Sequence, residues 1–414
     1  MDFHLFGLLA VLVAILISFD FSKDIPKKPG HPVVLVPGAL GSQLQAKLIN
    51  KPSTPHRLCS QRTDDFYTLW VNPLSMLPIS IYCFLDNVRM VFNSSSGLDS
   101  DAPGVKVKTE PVGPTESIEW LDTTQLFQPV YATIVDNLVK WGYTRGKDII
   151  GAPYDFRRPP HGQTAYYTSL KSAIEKAFDE SDNRKVAIFG YSMGSPVMLY
   201  FYHHFVTQAW KDKYIHSHVG LNGAWGGSTE MVKLFTSGYV LDEFKYFVSP
   251  YIFRTSQRSF TACAFMLPSA ALWDQSEVLV QTAEKNYSLS NLKELFYDMD
   301  YPTGWDQYTT CLYPNITTLD APGVDVHCLY GSGIGTPDRF TWDDGYFPDY
   351  QPTPIYGEGD GIVNLRSLKA CRRWSPESNL GHKVNVQHLD NVAHLDLLRD
   401  QRTLDILYSI LYDE

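Results

Sequence analysis

Lys185-Val186-Ala187-Ile188-Phe189-Gly190-Tyr191-Ser192-Met193-Gly194 is the stretch on which the reading of this chain turns. Its first half is a short apolar run, the pattern of a strand buried on both faces of a parallel sheet. From Met193 to Phe205 the apolar residues recur at helical spacing, so the pentapeptide Gly-Tyr-Ser-Met-Gly sits on a strand-to-helix turn. A serine on so sharp a turn has a strained backbone and close neighbours, which is why glycine is needed on either side, here Gly190 and Gly194. The helix start that follows presents partly positive N–H groups beside a developing oxyanion. Ser192 is therefore a candidate nucleophile; the pentapeptide alone is a weak signal, strengthened by the strand before it and the helix after it, and its bland reading is a glycine-rich turn carrying an ordinary exposed serine.

Working outward, Val33 to Val36, Ser217 to Leu221, Val324 to Tyr330 and Val384 to Gln387 read as further buried strands. Leu126 to Lys140, Tyr167 to Asp179, Met193 to Phe205 and Thr403 to Leu411 carry helical spacing. Strands alternating with helices imply an α/β domain whose sheet is mostly parallel and covered on both faces. Two regions break the alternation, about 58–117 and about 226–322. No linker, charge block or repeat sets them apart, so both read as insertions into one domain, a cap or lid among them.

A nucleophilic serine needs a base, an acid to orient it and donors for the oxyanion, and the first two are expected in the order Ser, Asp, His. His394, shortly after the last strand, is the candidate base, with His388 as its rival. Asp360, in the glycine-flanked loop Gly357-Glu358-Gly359-Asp360-Gly361, is the candidate acid, with Glu358 and Asp390 as rivals. The loop Pro37-Gly38-Ala39-Leu40-Gly41, just past the first strand, is placed to supply an oxyanion N–H. The expected donors are the main-chain N–H groups of Ala39 and Met193. Neither an HExxH metal motif nor a P-loop occurs, no dinucleotide fingerprint is complete, and no metal or organic cofactor is expected.

The composition narrows the setting. With 35 Lys plus Arg against 45 Asp plus Glu, the 414 residues carry a net charge of −10, which excludes the basic footprint of a nucleic-acid binder. Leu5 to Phe19 is an uncharged run too short to span a bilayer comfortably, and it reads as a secretory signal over residues 1–19 before a domain at 20–414. Its missing basic residues keep an uncleaved anchor or a buried helix open. Six cysteines, none in a CxxC pair, suggest disulfides rather than a thiolate zinc site. Sequons at Asn93, Asn286 and Asn315 fit passage through the secretory lumen, towards a lysosome or the extracellular space.

From about His31 onward the chain resembles the lecithin:cholesterol acyltransferase and lysosomal phospholipase A2 family of α/β-hydrolases. The likeness rests on Val36-Pro37-Gly38-Ala39-Leu40-Gly41-Ser42-Gln43-Leu44, on Phe84-Leu85-Asp86-Asn87, on Trp141 to Gly146 and on Gly151 to Arg157. Ala209 to Tyr214, Trp225-Gly226-Gly227, Gly359-Asp360-Gly361 and the segment around His394 complete it. The resemblance implies a triad of Ser192, Asp360 and His394, oxyanion donors at Ala39 and Met193, and disulfides Cys59–Cys83 and Cys328–Cys371. It places a membrane-binding region on the Cys59–Cys83 loop, with Leu69, Trp70, Met76, Leu77, Ile79 and Ile81 entering lipid, and a lid near Gly227 to Tyr246. The implied partner is a phospholipid membrane or lipoprotein surface, with no obligate protein partner. Acyl transfer from a glycerophospholipid to water or a lipid alcohol is the implied activity. A secreted sterol acyltransferase and a non-catalytic lipid-binding protein on the same fold are its alternatives. Three positions depart from the family pattern: Ala39 replaces an Asp or Cys, Tyr191 stands where His is common before the serine, and Glu230 replaces a lysine.

Overall fold

The computed structural model describes residues 28–240 and 249–412, so the expected signal segment and residues 241–246 of the expected lid lie outside the described residues. Six strands form the central sheet: β1 (Val33–Val36), β2 (Ile149–Gly151), β3 (Val186–Tyr191), β4 (Ile215–Leu221), β5 (Val326–Ser332) and β6 (Val384–Asp390). Their order is β6-β5-β4-β3-β1-β2, every neighbouring pair parallel. The chain runs from β1 to one side and returns to lay β3 on the other. The loops leaving β1 and β3 therefore diverge at a switch point, where open α/β sheets build their sites.

Both faces of the sheet are covered, which is why its strands show no polar alternation. Val34, Val36, Val186 and Ile188 join one apolar cluster with Tyr167, Leu170, Ile174 and the helix Gly194–His204. Val33, Leu35, Ala187 and Phe189 join another with the helices Ala132–Lys140 and Gln401–Tyr412. The helix expected from Leu126 begins only at Ala132. The Asp122 carboxylate accepts the N–H groups of Thr124, Leu126 and Phe127, and Pro129 follows, so these apolar residues belong to a capped loop. Strand β2, three residues long, carries too short a pattern to be read beforehand.

Each expected insertion, 58–117 and 226–322, shares a small sheet with strands outside its expected bounds. Around 44–108, strands Leu44–Leu48, Tyr67–Trp70 and Val105–Lys108 pair antiparallel, beside the hairpin Met90–Asn93/Leu98–Asp101. Arg157, fully buried, ties this layer to the core by bonding Asp101, Asp155 and the Val88 carbonyl. Past β4, helices Glu230–Ser237 and Leu292–Asp298 surround a separate apolar cluster of Phe235, Trp273, Phe296, Phe340 and Trp342. The hairpin Ile334–Thr341/Thr353–Gly359 joins the same layer and leads from β5 to Asp360.

The expected lipid-facing set needs correction. Leu69, Trp70, Met76 and Ile81 are buried at 1, 8, 8 and 2% exposure in the main core. Tyr67–Trp70 is a sheet strand, and the helix Ser80–Val88 turns Ile81, Phe84, Leu85 and Val88 inward at helical spacing. Of the expected set only Leu77 and Ile79 remain exposed, at 54 and 59%; Leu74 and Tyr82, outside that set, are also exposed, at 69 and 49%.

Candidate active site

The turn after β3 places Ser192 in the left-handed region, φ 52°, and its N–H donates to the Leu221 carbonyl at the end of β4. This conformation is costly for a side-chain-bearing residue and is held by its surroundings. A Cβ on Gly194 would lie 2.5 Å from the Val36 carbonyl oxygen, and one on Gly38 would lie 2.7 Å from Ser192 Cβ. The turn and the β1 loop thus close on each other only because both positions lack a side chain.

Ser192 Oγ lies 2.9 Å from His394 Nε2, and His394 Nδ1 lies 2.6 Å from Asp360 Oδ2. The other carboxylate oxygen, Oδ1, accepts the N–H groups of Ile362 and Val363 at 3.1 and 2.8 Å. Asp360 is 1% exposed, and its loop is pinned by the Gly361 N–H donating to Thr336 Oγ1 at 2.8 Å. With Nδ1–H committed to a carboxylate, Nε2 is left as the lone-pair nitrogen facing the serine. The rivals are occupied differently. His388 Nε2 bonds Ser332 Oγ at 2.7 Å, while Glu358 and Asp390 are exposed. One loop of the sheet thus supplies each member, and their meeting point is the switch point of the strand order.

The β1 loop is braced from below. Tyr154 Oη donates to the Pro37 carbonyl at 2.9 Å, Tyr131 Oη to Val36 at 3.1 Å, and Trp70 Nε1 to Leu40 at 2.7 Å. Trp70, expected at the lipid surface, is instead a strut of the loop that bears Ala39. Its indole also packs edge-on to Phe156. Met193, at the helix entry, is the residue after Ser192. Beside the helix Gly194–His204, Pro196, Trp225, Phe265, Met266, Leu267 and Ile316 line an apolar cavity of about 110 Å³.

Disulfides join Cys59 to Cys83 and Cys328 to Cys371, the pairs the resemblance implied. Cys263 and Cys311 are unpaired, and burial pushes the Cys263 thiol up to about 12 and Cys311 upward too, so neither is a ready nucleophile. His56 stands beside Cys59 and Cys83, whose sulfurs are already bonded to each other. Glu230 is 6% exposed at the start of its helix rather than a surface group. Asn93, Asn286 and Asn315 are all exposed.

The family described as lecithin:cholesterol acyltransferase matches residues 66–311 and 307–409. The lysosomal phospholipase A and acyltransferase of Rattus norvegicus is 39% identical over 412 residues, 99% of this chain and 96% of the relative. Its Homo sapiens counterpart is 38% identical over 409 residues, 98% and 96%. The phosphatidylcholine-sterol acyltransferase of Gallus gallus is 36% identical over 382 residues, 92% and 90%. Likeness of this degree along nearly the whole length, on an α/β-hydrolase sheet with a serine at its switch point, shows that this chain is a serine-dependent enzyme of the lecithin:cholesterol acyltransferase family.

Proposed function

We propose that the protein cleaves a fatty acyl ester of a glycerophospholipid through an acyl-serine and passes the acyl group to water or to a lipid alcohol. The single observation that carries this reading is the continuous Ser192–His394–Asp360 hydrogen-bond chain. Ser192 Oγ attacks the ester carbonyl as its proton moves to His394 Nε2, and Asp360 stabilises the imidazolium so formed. The oxyanion is held by the N–H groups of Ala39 and Met193. On collapse, the leaving lysophospholipid alkoxide takes the proton from Nε2. Water or an alcohol then repeats the sequence with His394 as base, and the freed acid or new ester leaves Ser192 as it began.

The exposed cluster Leu74, Leu77, Ile79 and Tyr82, beside the Cys59–Cys83 disulfide, is the docking face for a phospholipid membrane or lipoprotein surface in this reading. The segments around 58–117 and 226–322 act as membrane-binding and cap insertions of one hydrolase domain at 20–414, behind a signal at 1–19. The enzyme is a glycoprotein of the secretory pathway, carrying glycans at Asn93, Asn286 and Asn315. Among the described residues no helix is long and apolar enough to cross a membrane.

A fluorophosphonate should label Ser192 in wild type and not in Ser192→Ala, and phosphatidylcholine liposomes should release fatty acid only with wild type. Adding a sterol or another lipid alcohol and analysing the products separates hydrolase from acyltransferase. A folded wild type that is neither labelled nor active would leave a lipid carrier.

A further inference from the structure

Asp360 orients the imidazole of His394 through Nδ1, but the position of the ring also depends on the backbone that carries it. The N–H of His394 donates to the Asp360 carbonyl at 2.9 Å. Its carbonyl accepts two side-chain donors, Asn222 Nδ2 at 2.9 Å and Tyr191 Oη at 3.3 Å.

Asn222 is the residue immediately past β4. It is fully buried, with φ 46°, a conformation that asparagine tolerates better than most residues. It is anchored to β5 twice, its Oδ1 accepting the Gly331 N–H at 2.8 Å and its own N–H donating to Leu329 O at 2.9 Å. Tyr191, immediately before the nucleophile, is 4% exposed, and its ring centroid lies 5.1 Å from that of the imidazole. Burial holds its hydroxyl protonated, so it stands as a donor.

We propose that Asn222 and Tyr191 are positioning residues that grip the His394 carbonyl and so index the base to the nucleophile. The geometry is economical: Leu221 O holds the Ser192 N–H, and the next residue, Asn222, holds the His394 carbonyl. Two consecutive residues at the end of β4 therefore set both reacting partners against one rigid strand. Neither group reaches the ring nitrogens or the serine hydroxyl, so both act only through His394. The inference rests on the proposed role of His394 as base. It also gives a use to Tyr191, one of the positions that depart from the family pattern.

The test uses the full-length protein with two variants. Asn222→Gly tolerates φ 46° and deletes both side-chain bonds, while Tyr191→Phe keeps the ring and deletes only the hydroxyl. Loosening the base should lower kcat on phosphatidylcholine liposomes about tenfold or more in Asn222→Gly and about threefold in Tyr191→Phe, with KM unchanged within about twofold. The second-order rate of fluorophosphonate labelling should fall by the same factors, measured well below each melting temperature. Because both donors act on one carbonyl, the double variant should lose less than the product of the single losses. Ser332→Ala, which deletes a hydrogen bond to His388 at a neighbouring strand end, should keep wild-type kcat. Wild-type kcat in both variants, a loss confined to KM, or an equal loss in Ser332→Ala would overturn the proposal. Retained kcat in His394→Ala would instead remove the premise, the role of His394, and the inference with it.

Discussion

Replacing Leu77 and Ile79 together by serine tests the docking face where sequence and structure disagree most. In the free protein these side chains are 54 and 59% exposed, so about half of each is already covered by its own chain. Full burial of a Leu or Ile side chain is worth about 1.5–3 kcal/mol, so docking can gain about 1 kcal/mol from each. The double variant should lose about 2 kcal/mol of membrane affinity, a roughly 30-fold weaker partition. Folding stability should stay within about 0.5 kcal/mol, since neither residue is part of the core. The assay is co-sedimentation with phosphatidylcholine vesicles across lipid concentrations, alongside thermal melts. Leu69→Ser is the counterpart: at 1% exposure it should lose about 3 kcal/mol or more of stability, while the folded fraction partitions as wild type does. Unchanged partition of the Leu77→Ser, Ile79→Ser protein would place the lipid contact elsewhere.

Asp360→Asn presents an amide to His394 Nδ1 and favours the wrong tautomer. Turnover should fall about ten-thousandfold with the melting temperature little changed, and a loss under tenfold would deny Asp360 its role. Trp70→Phe keeps the packing on Phe156 but deletes the bond to the Leu40 carbonyl, about 1 kcal/mol. It should lower kcat roughly fivefold without weakening vesicle partition; weakened partition at full kcat would return Trp70 to the lipid surface. His218 is buried against Tyr202 and Trp225, and burial pushes its pKa down to about 3. Its folded value lies below the unfolded value of 6.5, so above pH 6.5 neither state binds the proton; as pH falls below 6.5 only the unfolded state does, and stability is lost until about pH 3. At pH 4.5 the loss from this group is about 3 kcal/mol. The stability difference between His218→Phe and wild type should therefore shift in favour of the variant by that amount from pH 7.5 to 4.5 in denaturant titrations, and a constant difference would contradict it.

The parallel α/β core was legible because its strands are short, wholly apolar and spaced by amphipathic helices. The serine was legible because a strand, a Gly-x-Ser-x-Gly turn and a helix follow each other directly between Val186 and His204, a local constraint written in local sequence. The relative order of acid and histidine follows from the same topology. Within the strand pattern Asp360 stood out only by its glycines, and His388 remained a rival of His394 until the sheet brought His394 to Ser192 and gave His388 to Ser332.

What escaped the sequence was direction. Leu69, Trp70, Met76, Leu77, Ile79 and Ile81 are one apolar run to a linear reading, yet four face the core and two face outward. Which is which depends on the pairing of Tyr67–Trp70 with Leu44–Leu48 and on the rotation of the helix Ser80–Val88 about its axis. Likewise nothing near Asn222 in the sequence announces a partner 172 residues away in His394. The class of fold, the family and the candidate nucleophile were readable along the chain, because they are set by local periodicity and by motifs whose chemistry is local. Which histidine and which acid lie beside Ser192, and which apolar side chains face outward, emerged from the folded chain alone, because a hydrogen bond or a buried face is a relation between segments that meet only when the sheet is assembled.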